Sequence, residues 1–81
     1  MDVDTLIDMA NRIGQFFDSM PDHAEAVDGV ADHIRRFWEP RMRIAILTAL
    51  DNPEACASME PILHEALTLH KADLQPKVAT A

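Results

Sequence analysis

The side chains best suited to chemistry lie in one stretch, Arg35-Arg36-Phe37-Trp38-Glu39-Pro40-Arg41-Met42-Arg43. It holds the single Trp and four of the seven Lys+Arg residues. The chain around it is acidic, with 14 Asp+Glu and a formal net charge of -7. Guanidinium groups pair bidentately with carboxylates or phosphates, and Trp and Arg dominate the energetics of protein contacts. The stretch therefore points to recognition of a partner rather than to bond-making. Local structure explains part of it. Arg35 and Arg36 fall at the end of a helix, where cations complement the negative pole. Phe37, and with it Trp38, is expected to fill the corner between two helices. Arg41 and Arg43 fall in the first turn of the next helix, the electrostatically unfavourable end. The expected partner-binding set is thus Arg35, Arg36, Trp38, Arg41 and Arg43, led by Arg41 and Arg43. Reversing those two to Glu is expected to abolish assembly while leaving helicity intact.

The remaining reactive side chains form no catalytic constellation. His23, His33, His64 and His70 show neither i,i+4 His spacing nor a Glu-x-x-His motif, so a metal site is not expected. His33 is placed on the solvent side of its helix, and all four histidines are read as surface or interface residues. Cys56 stands between Ala55 and Ala57 with no sequence-adjacent base, and it reads as a small structural thiol. The carboxylates mostly decorate outer helix faces and helix N-termini. Gly14 and Gly29 are isolated, so no phosphate-cradling loop exists. No nucleophile, base and oxyanion donor come together, and no active site, cofactor site or metal site is expected in this chain.

The elements that position these residues follow from periodicity. Asp2 or Asp4 caps a first helix carrying Val3, Leu6, Ile7, Ala10, Ile13 and Phe17 on one stripe, which Met9, Phe16 and Met20 widen. It ends near Ser19, because Pro21 disfavours helical geometry at Met20. A second helix starts at Pro21 or Asp22 and buries Ala24, Val27, Val30 or Ala31, Ile34, and Phe37 or Trp38. Gly14, inside the first helical pattern, marks close approach of another helix, and Gly29 is a second small residue inside a helical pattern. Pro40 opens a third helix with Met42, Ile46, Leu47 and Leu50 inward. Asn52 to Ser58 holds a short turn containing Cys56. A last helix starts between Ser58 and Pro61 and carries Met59, Ile62, Leu63, Ala66 and Leu67, with Leu69 or His70 at its end. The sum is an all-α bundle of three to four short helices, with a single domain over 1–72 and a flexible tail over 73–81.

At 81 residues such a chain buries only about 60% of its unfolded surface, and domains of this size often gain stability from a partner. Two Gly and no Tyr disfavour a hairpin-rich β fold. A sequence pI near 4.7 argues against nucleic-acid binding. No apolar run approaches the roughly 20 residues of a membrane span, and the N-terminus lacks the features of a secretion signal. A cytoplasmic location without membrane attachment is expected.

The pattern Leu6-Ile7-x-Met9-Ala10-Asn11-x-Ile13-x-Gln15-Phe16-Phe17, followed by Ala26-Val27-x-Gly29-Val30-Ala31-Asp32-His33-Ile34-Arg35-x-Phe37-Trp38-Glu39-Pro40-Arg41-Met42-Arg43, resembles the small delta subunit of NAD-dependent, molybdenum-containing formate dehydrogenases. The likeness covers about residues 4–70, and the second block is its specific part. The resemblance implies a non-catalytic accessory subunit that assembles with or stabilises a cytoplasmic bacterial complex. In that family the alpha subunit carries bis-molybdopterin guanine dinucleotide and iron–sulfur clusters. The beta and gamma subunits carry FMN and further clusters. The delta chain holds no redox cofactor, and its implied partner is the catalytic alpha subunit with its complex. No catalytic residues transfer from the family. Two alternatives remain beside it: a self-associating regulatory module that binds an anionic ligand or nucleotide cofactor through Arg35–Arg43, and homodimerisation of the isolated chain through apolar surface meant for a partner.

Overall fold

The computed structural model describes residues 2–76, and among these every regular element is helical. Four principal helices, α1 (Val3–Asp18), α2 (His23–Phe37), α3 (Pro40–Thr48) and α5 (Pro61–Leu69), are joined by short connections. A 3-10 turn (Ala49–Asp51) and the one-turn helices α4 (Pro53–Ala57) and α6 (Lys71–Leu74) complete the chain. The expected all-α bundle is therefore the architecture.

Each helix begins where its chemistry allows. Asp2 accepts a hydrogen bond from the Asp4 N–H at the head of α1, and Asp22 accepts one from the Glu25 N–H at the head of α2. These side chains satisfy donors that the helix cannot satisfy itself. Pro40, Pro53 and Pro61 occupy first-turn positions of α3, α4 and α5, where the missing N–H costs nothing.

The core is one cluster to which all six helices contribute. It contains Leu6, Ile7, Ala10, Val27, Val30, Ile34, Trp38, Ile46, Leu47, Leu63, Leu67 and Leu74. The close approach inferred from Gly14 is present, and Gly29 makes a second one. A Cβ at Gly14 would stand 3.0 Å from Ile62 Cγ2, where α5 crosses α1. A Cβ at Gly29 would stand 2.5 Å from the Phe17 ring, which lies against α2.

Polar side chains fix how α5 enters the bundle. The Asn11 amide donates to the Ser58 carbonyl and accepts from the Glu60 N–H, both at 2.8 Å. Gln15, one turn on, donates to Glu60 at 3.2 Å. The Cys56 thiol donates to the Leu50 carbonyl at 3.2 Å, consistent with its reading as a structural group.

Several expected placements differ. Phe16 and Met9 do not join the core; Phe16 is 73% exposed. Phe16 stands about 100° round α1 from Phe17, on a flank that no neighbouring helix among the described residues covers. Ala26, not Ala24, faces inward on α2, and Leu69 is exposed. Packing does not stop at residue 72, because Leu74 on α6 is fully buried against the bundle. Its apolar bulk outweighs the low periodicity of the surrounding sequence. The rest of the expected tail, 77–81, lies outside the described residues.

Candidate docking surface

The corner between α2 and α3 holds only one of the two aromatics expected to fill it. Trp38 is the buried aromatic, at 6% exposure, and Phe37 is open to solvent at 71%. Trp38 caps α2 with an extended backbone (φ -93°, ψ 134°), so helical phasing does not govern where its side chain goes. The turn into Glu39-Pro40 carries the indole into the core. Trp38 is therefore part of the packing between the helices and offers no exposed docking surface.

The four arginines of the segment go separate ways. Arg35 Nη2 and Arg36 Nε both reach Asp32, at 2.7 Å and 3.0 Å, one turn back on α2. The bond from Arg35, with a second from Arg36, holds the Asp32 carboxyl below the ordinary carboxylate range. Arg43 turns inward. Its Nη1 lies 3.4 Å from the Leu74 carbonyl at the end of α6, and its Nε is buried without a hydrogen-bond partner among the described residues. Free carbonyls at a helix end are natural acceptors for such a group. Arg41 is exposed beside an open cleft with Leu6, Glu39, Met42 and Ala45. Arg35 lines a different cleft, with Asp28, His70 and Asp73. The segment thus presents no common anion pocket.

The unexplained surface lies on the outer flank of α1 and α2. Phe16 and Phe17 stand edge to face with ring centroids 5.1 Å apart. Phe17 meets His33 edge-on at 6.4 Å, and His33 tilts against Phe37 at 4.8 Å. Phe16, Phe17, Ile13, Arg12 and His33 enclose an open, almost wholly apolar cleft. His33 is thus half-buried within an aromatic row rather than free in solvent. This face combines residues that are costly to leave in water with the residue types that anchor protein contacts. The sequence carried one signal for it: an apolar shoulder, Met9, Phe16 and Met20, beside the main stripe of α1.

Two cross-links between distant helices also escaped the sequence reading. His23 on α2 lies 2.8 Å from Glu65 on α5, and His70 after α5 lies 2.8 Å from Asp28 on α2. His70 Nδ1 is also 3.6 Å from Asp73. The hydrogen bond to Glu65, reinforced by its charge, raises the His23 pKa above the usual value near 6.5. Each pair joins residues 42 apart, a separation that helical spacing cannot reveal. Among the described residues no three His, Cys, Asp or Glu side chains converge to hold a metal ion. No helix among them is long and apolar enough to cross a membrane.

No curated protein and no solved structure matches the chain. Residues 5–67 match the family described as "NADH-dependant formate dehydrogenase delta subunit FdsD". That span contains nearly all of α1, the whole of α2 to α4, nearly all of α5, and both halves of the aromatic face. The chain belongs to this family of formate dehydrogenase delta subunits.

Proposed function

We propose that the chain is a non-catalytic accessory subunit that assembles with, and stabilises, the cofactor-bearing part of a cytoplasmic NADH-dependent formate dehydrogenase. The observation that carries the reading is the family match over residues 5–67. The side-chain chemistry agrees with it: His23 with Glu65 and Arg35 with Asp32 form exposed pairs, His70 bonds to Asp28, and the single thiol bonds to backbone carbonyls. Formate oxidation and electron transfer to NAD are then the work of other subunits. These are expected to carry bis-molybdopterin guanine dinucleotide, iron–sulfur clusters and FMN, with the alpha subunit as the docking partner. The arginine segment enters this reading mainly through Arg41, whose guanidinium is exposed.

The test is a tagged chain produced in its native host. Formate dehydrogenase subunits should co-purify with it, and a host lacking the chain should yield less assembled, less active enzyme. A tagged chain that brings down no formate dehydrogenase subunit overturns the reading.

A further inference from the structure

We propose that the aromatic face of α1 and α2 docks on another subunit of the formate dehydrogenase, with Phe16 and Phe37 entering an apolar groove whose rim carries carboxylates. The inference rests on the accessory-subunit reading and names the surface and partner chemistry through which it operates.

Three observations carry it. The two rings are the most exposed large hydrophobic side chains of the described chain, at 73% and 71%. They are also braced, Phe16 by Phe17 at 5.1 Å and Phe37 by His33 at 4.8 Å. A braced ring loses little rotamer freedom on binding, which makes it an effective anchor. Gly29 contributes to the bracing, since only a residue without Cβ lets the Phe17 ring lie on α2.

The third observation is charge, and it selects the occupant. The chain carries a net charge of -7, yet the cleft beside Phe16 and Phe17 is lined by Arg12 and His33 with no carboxylate, and Arg36 precedes Phe37 in the chain. Among the described residues Arg12 pairs with Asp8, at 3.2 Å, with side chains 77% and 65% exposed. Arg36 pairs there with Asp32, at 3.0 Å, with side chains 64% and 45% exposed. Exposed pairs of this kind contribute little, so both guanidinium groups can re-pair with carboxylates across an interface. A second copy of this chain would bring two acidic bodies together. A groove rimmed by carboxylates on a different polypeptide satisfies both the rings and the arginines.

The test compares tagged variants in the native host. Phe16→Asp with Phe37→Asp should lower co-purification of formate dehydrogenase subunits by about tenfold or more, as loss of two anchors does. The isolated variant should keep the helicity and melting temperature of the parent. Phe16→Leu with Phe37→Leu should retain most of the binding. Arg12→Glu with Arg36→Glu should weaken it several-fold and reduce its salt dependence. Should the Asp variant melt lower, the arginine pair decides, because its side chains lie in solvent. Co-purification undiminished in both the Asp and the Glu variants, with the parent binding normally, overturns this inference and leaves the accessory reading intact. A parent chain that sediments as a dimer, dissolved by the same Asp substitutions, also overturns it in favour of self-association. A parent that captures no subunit overturns both.

Discussion

The arginine segment and the aromatic face are the two anomalies of this molecule, and they are anomalous in opposite ways. Arg35–Arg43 stands out in the sequence and is largely accounted for by the fold. Two of its arginines share Asp32, a third closes on the end of α6, and its Trp is core. The aromatic face is inconspicuous in the sequence, spread over α1 and α2, and the fold leaves it exposed. The lesson concerns what composition measures. A local excess of charge reports demands that helix ends and neighbours can meet. An excess of exposed apolar surface appears only after packing has taken what it can.

The contrast can be broken most sharply at adjacent residues. Trp38→Ala should cost about 3–5 kcal/mol, the range for deleting a buried large aromatic. Phe37→Ala should stay within about 0.5 kcal/mol in the isolated chain. Urea unfolding followed by circular dichroism reads both, and equal costs would erase the distinction between corner and face.

Gly29→Ala tests the bracing of the aromatic row. The new methyl meets the Phe17 ring at 2.5 Å, so the ring must move. A net loss of about 1–2 kcal/mol is expected, overpacking exceeding the gain in helix propensity. Gly14→Ala, facing a methyl at 3.0 Å, should be closer to neutral, since Ile62 can give by a few tenths of an ångström. Thermal melts of the two variants side by side check the order.

The arginines sharpen the other half. Arg43→Ala should cost about 1 kcal/mol by removing the donor to the Leu74 carbonyl. Arg41→Ala should leave stability within about 0.5 kcal/mol. Reversal of both to Glu therefore loosens α6 as well as altering the surface, and only the single Arg41→Glu isolates a docking effect. Denaturation of the two single variants separates them.

The smallest effect is the pH dependence of the α2–α5 clasp. The folded chain holds the His23 proton more tightly than the unfolded chain does, because Glu65 accepts from it. The stabilisation is complete below about pH 6.5 and fades as pH rises through the raised folded value. His23→Gln should flatten this slope. An NMR titration placing His23 at its ordinary value would remove the effect.

Much of the fold was legible because it rests on local rules. Asp2 and Asp22 as caps, Pro40 and Pro61 at helix starts, and the 3.6-residue stripes of α1, α2 and α5 follow from backbone hydrogen bonding and side-chain direction alone. The proposed docking surface was legible only as a composition. Phe37 and Trp38 could not be told apart by phase, since the helix ends between them. Phe16 was read as core because nothing in the stripe shows how wide the covering partner helix is. Leu74 was read as tail because one apolar residue in a polar run carries no period.

The basic, aromatic-rich stretch at 35–43 thus keeps a different meaning from the one its composition suggested. The sequence by itself determined an acidic, all-α chain, its helix boundaries, and a family-like block from Ala26 to Arg43. Those properties depend on residues within a few positions of one another. Only the tertiary structure decided which aromatic is core and which is surface, that Arg43 serves α6, and that His23 and His70 tie α2 to residues 42 positions away. These outcomes depend on how much area each helix has left for its neighbours to cover, and no single helix carries that information.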